Sequence, residues 1–274
     1  MPPFWSASRN TRAARLQGWA RGLLGVAAFL LLAELIGDTV IGRSTLPLVS
    51  TVLVQAGRLL GSSQFLTDLA ATVEAWAAGM AITVAVGVPV GLVLGSVPVV
   101  RSATRAIVEF LRPIPSVALI PLVALVLGPG LRMDVTLIVY ASIWPVLFNT
   151  IYGLDGVDPV AKDTLRAFGF GRIAVIRRVS LPAAAPFIAT GIRIASSIAI
   201  ILNISTGIIT GRIDGDGIGA FISDANTANN VNQVLAAALL AGLLGLALNA
   251  LLVWAERRAL PWHRAYLGEG VTEG

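Results

Sequence analysis

The chain has 274 residues, 56% of them hydrophobic and only 13% charged, with a formal net charge of +5. Soluble globular chains carry about 25% charged residues, so this composition excludes a protein whose whole outer surface faces water. The absence of cysteine excludes a disulfide framework and a thiolate metal site. Nineteen arginines and one lysine carry the basic balance. They stand between apolar runs and not on one polar face, which argues for membrane topology and against nucleic acid.

In chain order, residues 1–22 form a basic segment with Arg9, Arg12, Arg15 and Arg21. The apolar run that follows could be the core of a signal peptide, but it shows no clear small-residue cleavage site and more runs follow it. It is therefore predicted as a retained first span, 23–41. Pro47 then precedes a predicted short interfacial helix over 49–60. A hydrocarbon core of about 30 Å needs roughly 20 apolar residues per helix, and five further runs meet that need: 69–93, 103–127, 135–154, 183–209 and 234–255. The expected architecture is an all-α membrane protein of about six transmembrane helices, with a transmembrane domain over 23–255 and a tail over 256–274.

Charge sets the expected orientation. One side holds the four N-terminal arginines, then Arg101 and Arg105, then Lys162, Arg166, Arg172, Arg177 and Arg178, then Arg257, Arg258 and Arg264. The other side holds Arg43, Arg58, Arg132 and Arg212. The excess alternates loop by loop, so both ends are predicted to be cytoplasmic.

Within the spans, Gly87, Gly91 and Gly95 recur every four residues, a pattern that lets another helix approach closely. Pro89, Pro121 and Pro145 are expected to kink spans. Arg112-Pro113-Ile114-Pro115 interrupts the third run, whose beginning is expected to be a separate short helix. Glu34, Glu74 and Glu109 lie in or near spans, within a functional site or within reach of the headgroups. Asn149, Thr150, Ser196, Asn203 and Thr206 are polar positions on spans four and five. They are candidates for lining a translocation path, and interhelical hydrogen bonding is the competing role. Asp214-Gly215-Asp216-Gly217 lacks the oxygen ligands of a calcium loop and is expected to be a turn.

The stretch over 155–182 is longer than a connection between adjacent spans requires. Asp158 is a good N-cap, Pro159 suits the first helical position, and Gly169 can supply a left-handed stop. A second basic helix is expected over roughly 172–179, running into Leu181-Pro182. Two short cytoplasmic helices with a glycine corner result.

This stretch resembles the cytoplasmic signature of permease subunits of bacterial binding-protein-dependent ABC importers. The signature reads Glu-Ala-Ala, three residues, Gly, nine residues, Ile, one residue, Leu-Pro. Here it is Asp163-Thr164-Leu165, three residues, Gly169, nine residues, Val179, Ser180, Leu181-Pro182. Pro186-Phe187, Gly191-Ile192-Arg193-Ile194-Ala195, Ile120-Pro121-Leu122 and Pro261-Trp262-His263 add to the likeness, which is closest to the nitrate, sulfonate and taurine branch. Asp163 replaces the glutamate, and Thr164 and Leu165 replace two alanines, which alters the surface a partner would meet.

The resemblance implies a type I importer permease fold, half of a pore completed by an identical or related permease. It also implies a small, anionic solute delivered by an external solute-binding protein. ATPase coupling would involve Asp163, Thr164, Leu165, Arg166, Gly169, Val179, Leu181 and Pro182. ATP and Mg would sit on the partner ATPase. The chain itself has no Gly-Lys-Ser/Thr phosphate loop, its one lysine follows Ala161, and its one histidine is His263. It is not expected to be an enzyme or to hold a cofactor. The competing readings are a carrier or channel that works without ATP, for which matching inverted halves are missing, and a membrane scaffold.

Overall fold

The computed structural model describes residues 47–211 and 216–261, together with Leu24, Gly25, Ala28 and Glu34. Most of the predicted first span and residues 214 and 215 of the 214–217 turn therefore lie outside the described residues, as do 262–274. All regular structure among the described residues is helical. Four helices are long and apolar enough to cross a membrane, or five if one bent pair counts as a span.

Helix α1 (Val49–Leu60) coincides with the predicted interfacial helix and leads into α2 (Ser63–Ser96). The third apolar run is broken as expected. Helix α3 (Pro98–Leu111) and the segment Ser116–Leu127 meet at 74° across the Arg112–Pro115 interruption. That segment is a 3₁₀ turn (Ser116–Leu119) followed by α4 (Ile120–Leu127). Pro121 stands in the first turn of α4 and kinks nothing, because the first turn needs no N–H from it. Helix α5 (Leu131–Asp155) contains Pro145, and α2 contains Pro89.

Helix α6 (Pro159–Ala167) follows. The expected separate helix over 172–179 does not end before span five. A single 39-residue helix, α7 (Arg172–Thr210), runs from the loop through the core. Leu181 and Pro182 lie inside it, just after a π-helical turn over Ile176–Ser180. A proline two residues beyond that wide turn can join a helix without breaking it, since the irregular turn has already relaxed the ladder. Helices α8 (Ile218–Thr227) and α9 (Val231–Ala259) complete the fold.

The core is two seams. Along the first, α2 and α5 run parallel at constant offset. A Cβ added to Gly87 would lie 3.1 Å from Val146, one at Gly91 2.7 Å from Thr150, and one at Gly95 2.6 Å from Leu154. Lipid tails are as apolar as leucine, so helices associate in a bilayer through such close backbone packing more than through hydrophobic burial. The second seam sets α7 antiparallel to α5. Ser142 donates to the Ala195 carbonyl at 3.1 Å, and Gly191 packs against Asn149 and the Pro145 carbonyl.

At the end opposite the long loop, Phe65 meets Phe221 edge to face at 5.2 Å, inside a cluster with Ile218, Ile222 and Leu240. Ile82, Val86, Val90, Leu243, Leu246 and Trp254 face outward from α2 and α9. Such an apolar belt suits a lipid surface.

Candidate coupling arm and polar core

The loop between α5 and α7 is a capped, cornered arm. The Asp158 carboxylate accepts the Val160 N–H at 2.8 Å, satisfying one of the free donors at the start of α6. Pro159 occupies the first turn, where its missing N–H costs nothing. At the other end Phe170 N–H bonds the Leu165 carbonyl at 3.1 Å and Gly169 N–H bonds the Arg166 carbonyl at 2.9 Å. These two bonds form a Schellman motif, which needs a left-handed residue, and Gly169 has φ +82°. Replacing Asp158 by alanine is expected to cost α6 about 1 kcal/mol, read as roughly fivefold faster amide exchange within α6. Unchanged exchange would show that the arm is held by its neighbours and not by its cap.

Three further contacts tie the arm together. Lys162 Nζ donates to the Leu154 carbonyl at 3.2 Å, at the C-terminal turn of α5, where a cation is favourable. Arg166 pairs with Asp163 at 2.9 Å, with both side chains more than half exposed, so the pair itself adds little stability. The Arg178 guanidinium sits 4.7 Å from the centroid of Phe170.

Among the eight signature positions, Asp163, Thr164, Arg166 and Gly169 are exposed, while Leu165, Val179, Leu181 and Pro182 are half-buried. Sequence reasoning missed three large apolar side chains that the same arm presents to solvent, Val160, Phe168 and Ile173, the last 82% exposed. Their signal was legible as apolar residues in a segment otherwise read as polar. An apolar patch on an exposed arm, rimmed by charge, has the composition of a protein-docking surface.

The five polar path candidates lie inside the chain's own seams. Ser196 accepts the Trp76 indole N–H at 3.1 Å, and Asn203 donates to the Thr72 carbonyl at 3.0 Å. Thr150 and Thr206 donate one turn back, to Val146 and Leu202, and Asn149 donates to the carbonyl of Pro145. Four of the five are buried, with Asn149 half-buried.

Sequence reasoning also missed a buried polar group that links α2, α7 and α8. Asp68 is fully buried and accepts the Gly217 N–H at 3.2 Å. Thr72, one turn on, accepts the Ile218 N–H at 2.9 Å. Of the acids singled out, Glu109 pairs with Arg105 at 2.7 Å, Glu34 accepts the Ser50 hydroxyl at 2.8 Å, and Glu74 is exposed. Arg112 lies 4.7 Å from the centroid of Phe148, in a cavity of about 390 Å³ between α3 and α5 that Arg101 and Arg105 also line.

A multi-span helical bundle with one structured arm projecting from it is the form of a transport permease. The chain belongs to the family of binding-protein-dependent transport system inner membrane components, whose profile matches residues 87–261. It is 27% identical to a permease protein assigned to aliphatic sulfonate transport in Bacillus subtilis, over 96% of this chain and 94% of that one. It is 30% identical to an ABC transporter permease protein of Brucella melitensis, over 91% and 99%. It is 28% identical to a nitrate import permease of Leptolyngbya laminosa, over 71% and 68%. In fold it is similar to a chain of the MetNI methionine ABC transporter in an inward-facing conformation. That match has a TM-score of 0.52 and 20% identity, and covers 78% of this chain and 97% of the other. The protein is therefore a multi-pass inner membrane permease of ABC import.

Proposed function

We propose that this permease couples to a separate ATPase through α6 and the corner at Gly169, and moves a small oxyanion inward with a second permease. The observation that carries the coupling is mechanical. Helix α6 is capped at both ends, and the helix after its corner runs without a break for 39 residues into the core. A displacement applied to Val160, Asp163, Thr164 or Phe168 would therefore be delivered to α7 as a rigid rotation. Coupled two-state transitions need such an element, because packed seams switch between arrangements and do not deform continuously.

In this reading the arm and both ends of the chain lie in the cytoplasm, as the arginine distribution favours. ATP and Mg belong to the partner, and an external binding protein supplies the solute. The exposed stripe Phe187, Ile194, Ile201 and Ile208 on α7, with Leu122 and Leu125 on α4, is the face offered to the second permease. Ser197 and Ser205 share the α7 stripe and are the path-lining polar groups nearest that face. Asn149, Thr150, Ser196, Asn203 and Thr206 would shape the path from behind. The oxyanion assignment is supported by the relatives described as carrying aliphatic sulfonates, nitrate and bicarbonate.

The test is Gly169→Pro. Proline holds φ near −65° and has no N–H, so it can neither adopt the φ of +82° nor make the bond to Arg166. With tagged protein purified in mild detergent, wild type is expected to retain an ATPase subunit. The variant, still melting as a folded bundle, should lose it by about tenfold or more, a change worth roughly 1.4 kcal/mol. A folded wild type that captures no ATPase even after crosslinking would favour a carrier that works without ATP.

A further inference from the structure

The turn between α2 and α3 and the underside of the arm enclose a cavity of about 510 Å³. Its walls carry Lys162, Arg166 and Arg172 and no acidic side chain. Among the described residues, the carboxylate in contact with these bases is Asp163, which engages one guanidinium nitrogen of Arg166. Lys162 spends one of its three donors on the Leu154 carbonyl, and Arg172 is exposed.

Two independent features point into the same space. The first turn of α3 borders the cavity and is uncapped. Val97 supplies no side-chain acceptor, Pro98 stands in the turn, and no acid lies in it. A helix of fourteen residues begun this way presents a partial positive charge with nothing opposite. The second is Ser180, which lines the cavity and is 4% exposed as a residue, and whose side chain is tied to no neighbour by the hydrogen bonds that hold the arm. Helical serines often donate to the carbonyl four residues back, whereas Ser180 ends a π-helical turn in which the Leu181 N–H bonds the Ile176 carbonyl. The residue is buried while its hydroxyl borders the cavity, so it can donate to whatever occupies that space.

We infer that this cavity is a seat for a phosphate-class oxyanion, bridging the membrane core and the arm. Three bases, a hydroxyl and an uncapped helix start can all donate into the cavity, no carboxylate is among its described lining residues, and a tetrahedral oxyanion can take several donors at once. Leu154, Val175 and Ile176 form an apolar side, with room for the glycerol part of a lipid headgroup. The occupant is either free inorganic phosphate or the phosphodiester of an anionic lipid, chemistry that basic pockets beside spans recognise. The seat does not depend on ATPase coupling, because its occupancy is measured on the permease alone.

The experiment uses the full chain, delipidated in a maltoside detergent, in two arms. The first is equilibrium binding of radiolabelled inorganic phosphate. The second is native mass spectrometry after exposure to phosphatidylglycerol or to a neutral glucosyl diacylglycerol. Variants are Arg172→Gln, Ser180→Ala and the charge-matched Arg177→Gln, which lies outside the cavity.

Saturable phosphate binding, weakened about tenfold by Arg172→Gln and severalfold by Ser180→Ala but unmoved by Arg177→Gln, would establish a free-oxyanion seat. Retained phosphatidylglycerol with the same variant pattern, displaced by millimolar phosphate, would establish a headgroup seat. Ser180→Ala removes one oxygen from a helix position that alanine suits, so it tests the seat even where Arg172→Gln folds poorly. Absence of binding in both arms, or equal losses in all three variants, would overturn the inference.

Discussion

Gly219→Val is expected to leave little or no folded monomer. A Cβ at Gly219 would run into the Ile204 carbonyl oxygen and stand 2.9 Å from the Gly207 Cα and 3.0 Å from the Ile208 nitrogen. The reciprocal test agrees, since a Cβ at Gly207 would lie 2.8 Å from the Ala220 nitrogen. Every atom in the way is backbone, so no rotamer change can make room and α8 would have to leave α7. Overpacking a core that can relax costs about 1–3 kcal/mol, and a site with no side chain to move should exceed that range. The measurement is the monodisperse fraction in size-exclusion chromatography and the melting temperature in detergent. Gly242→Val in α9 serves as the control, where an added Cβ meets nothing within 4 Å. Equal behaviour of the two variants would mean that α7 and α8 are not in backbone contact.

Asp68→Ala should have the next largest effect. The Asp68 carboxylate is fully buried, takes the Gly217 N–H at 3.2 Å, and lies at the start of α8. Thr72 takes the adjacent Ile218 N–H at 2.9 Å, and Asn203 on α7 donates to the Thr72 carbonyl at 3.0 Å. This cluster joins three helices at the end away from the arm. Alanine would leave a buried N–H without an acceptor and remove the negative charge facing the α8 dipole, a loss of about 3 kcal/mol. Asp68→Asn keeps an acceptor and loses the charge, so about half of that loss is expected. Thr72→Val strands one N–H and should cost roughly 1–2 kcal/mol. Melting temperatures should fall in the order Asp68→Ala, Thr72→Val or Asp68→Asn, wild type, by about 2–4 °C per kcal/mol. Asp68→Ala melting with wild type would show that packing alone, through Phe65, Phe221 and Ile218, holds α8 in place.

Much of the molecule is legible in the sequence. The apolar runs, the helix over 49–60 and the break at Arg112–Pro115 follow from local rules, hydropathy and proline chemistry, which act within a few residues. The arm was legible for the same reason. Asp158 caps, Pro159 starts and Gly169 stops a helix through contacts no more than five residues apart. The glycine repeat at Gly87, Gly91 and Gly95 announced a close helix approach, although nothing in the repeat named α5 as the partner. Family membership rested on spacing across the arm, and spacing is a property of the sequence.

The positions that depend on distant neighbours were out of reach. Leu181-Pro182 reads as the point where the loop helix over 172–179 ends, but the preceding π-helical turn absorbs the proline, so loop helix and span become one rod. Thr150, Ser196 and Asn203 read as path-lining or interhelical bonding positions alike, and only the fold shows that Trp76 and Thr72 on α2 bond Ser196 and Asn203 while Gly91 packs on Thr150. Asp68 looks like an ordinary acid near the start of a span until the fold brings Gly217 to it from far along the chain. The sequence by itself determined where most helices lie, because caps and hydropathy are local, with the continuous helix over Arg172–Thr210 the exception. Only the tertiary structure decided which polar groups are consumed and which stay free. A hydrogen bond between helices is set by their register and crossing, and no local rule carries that information.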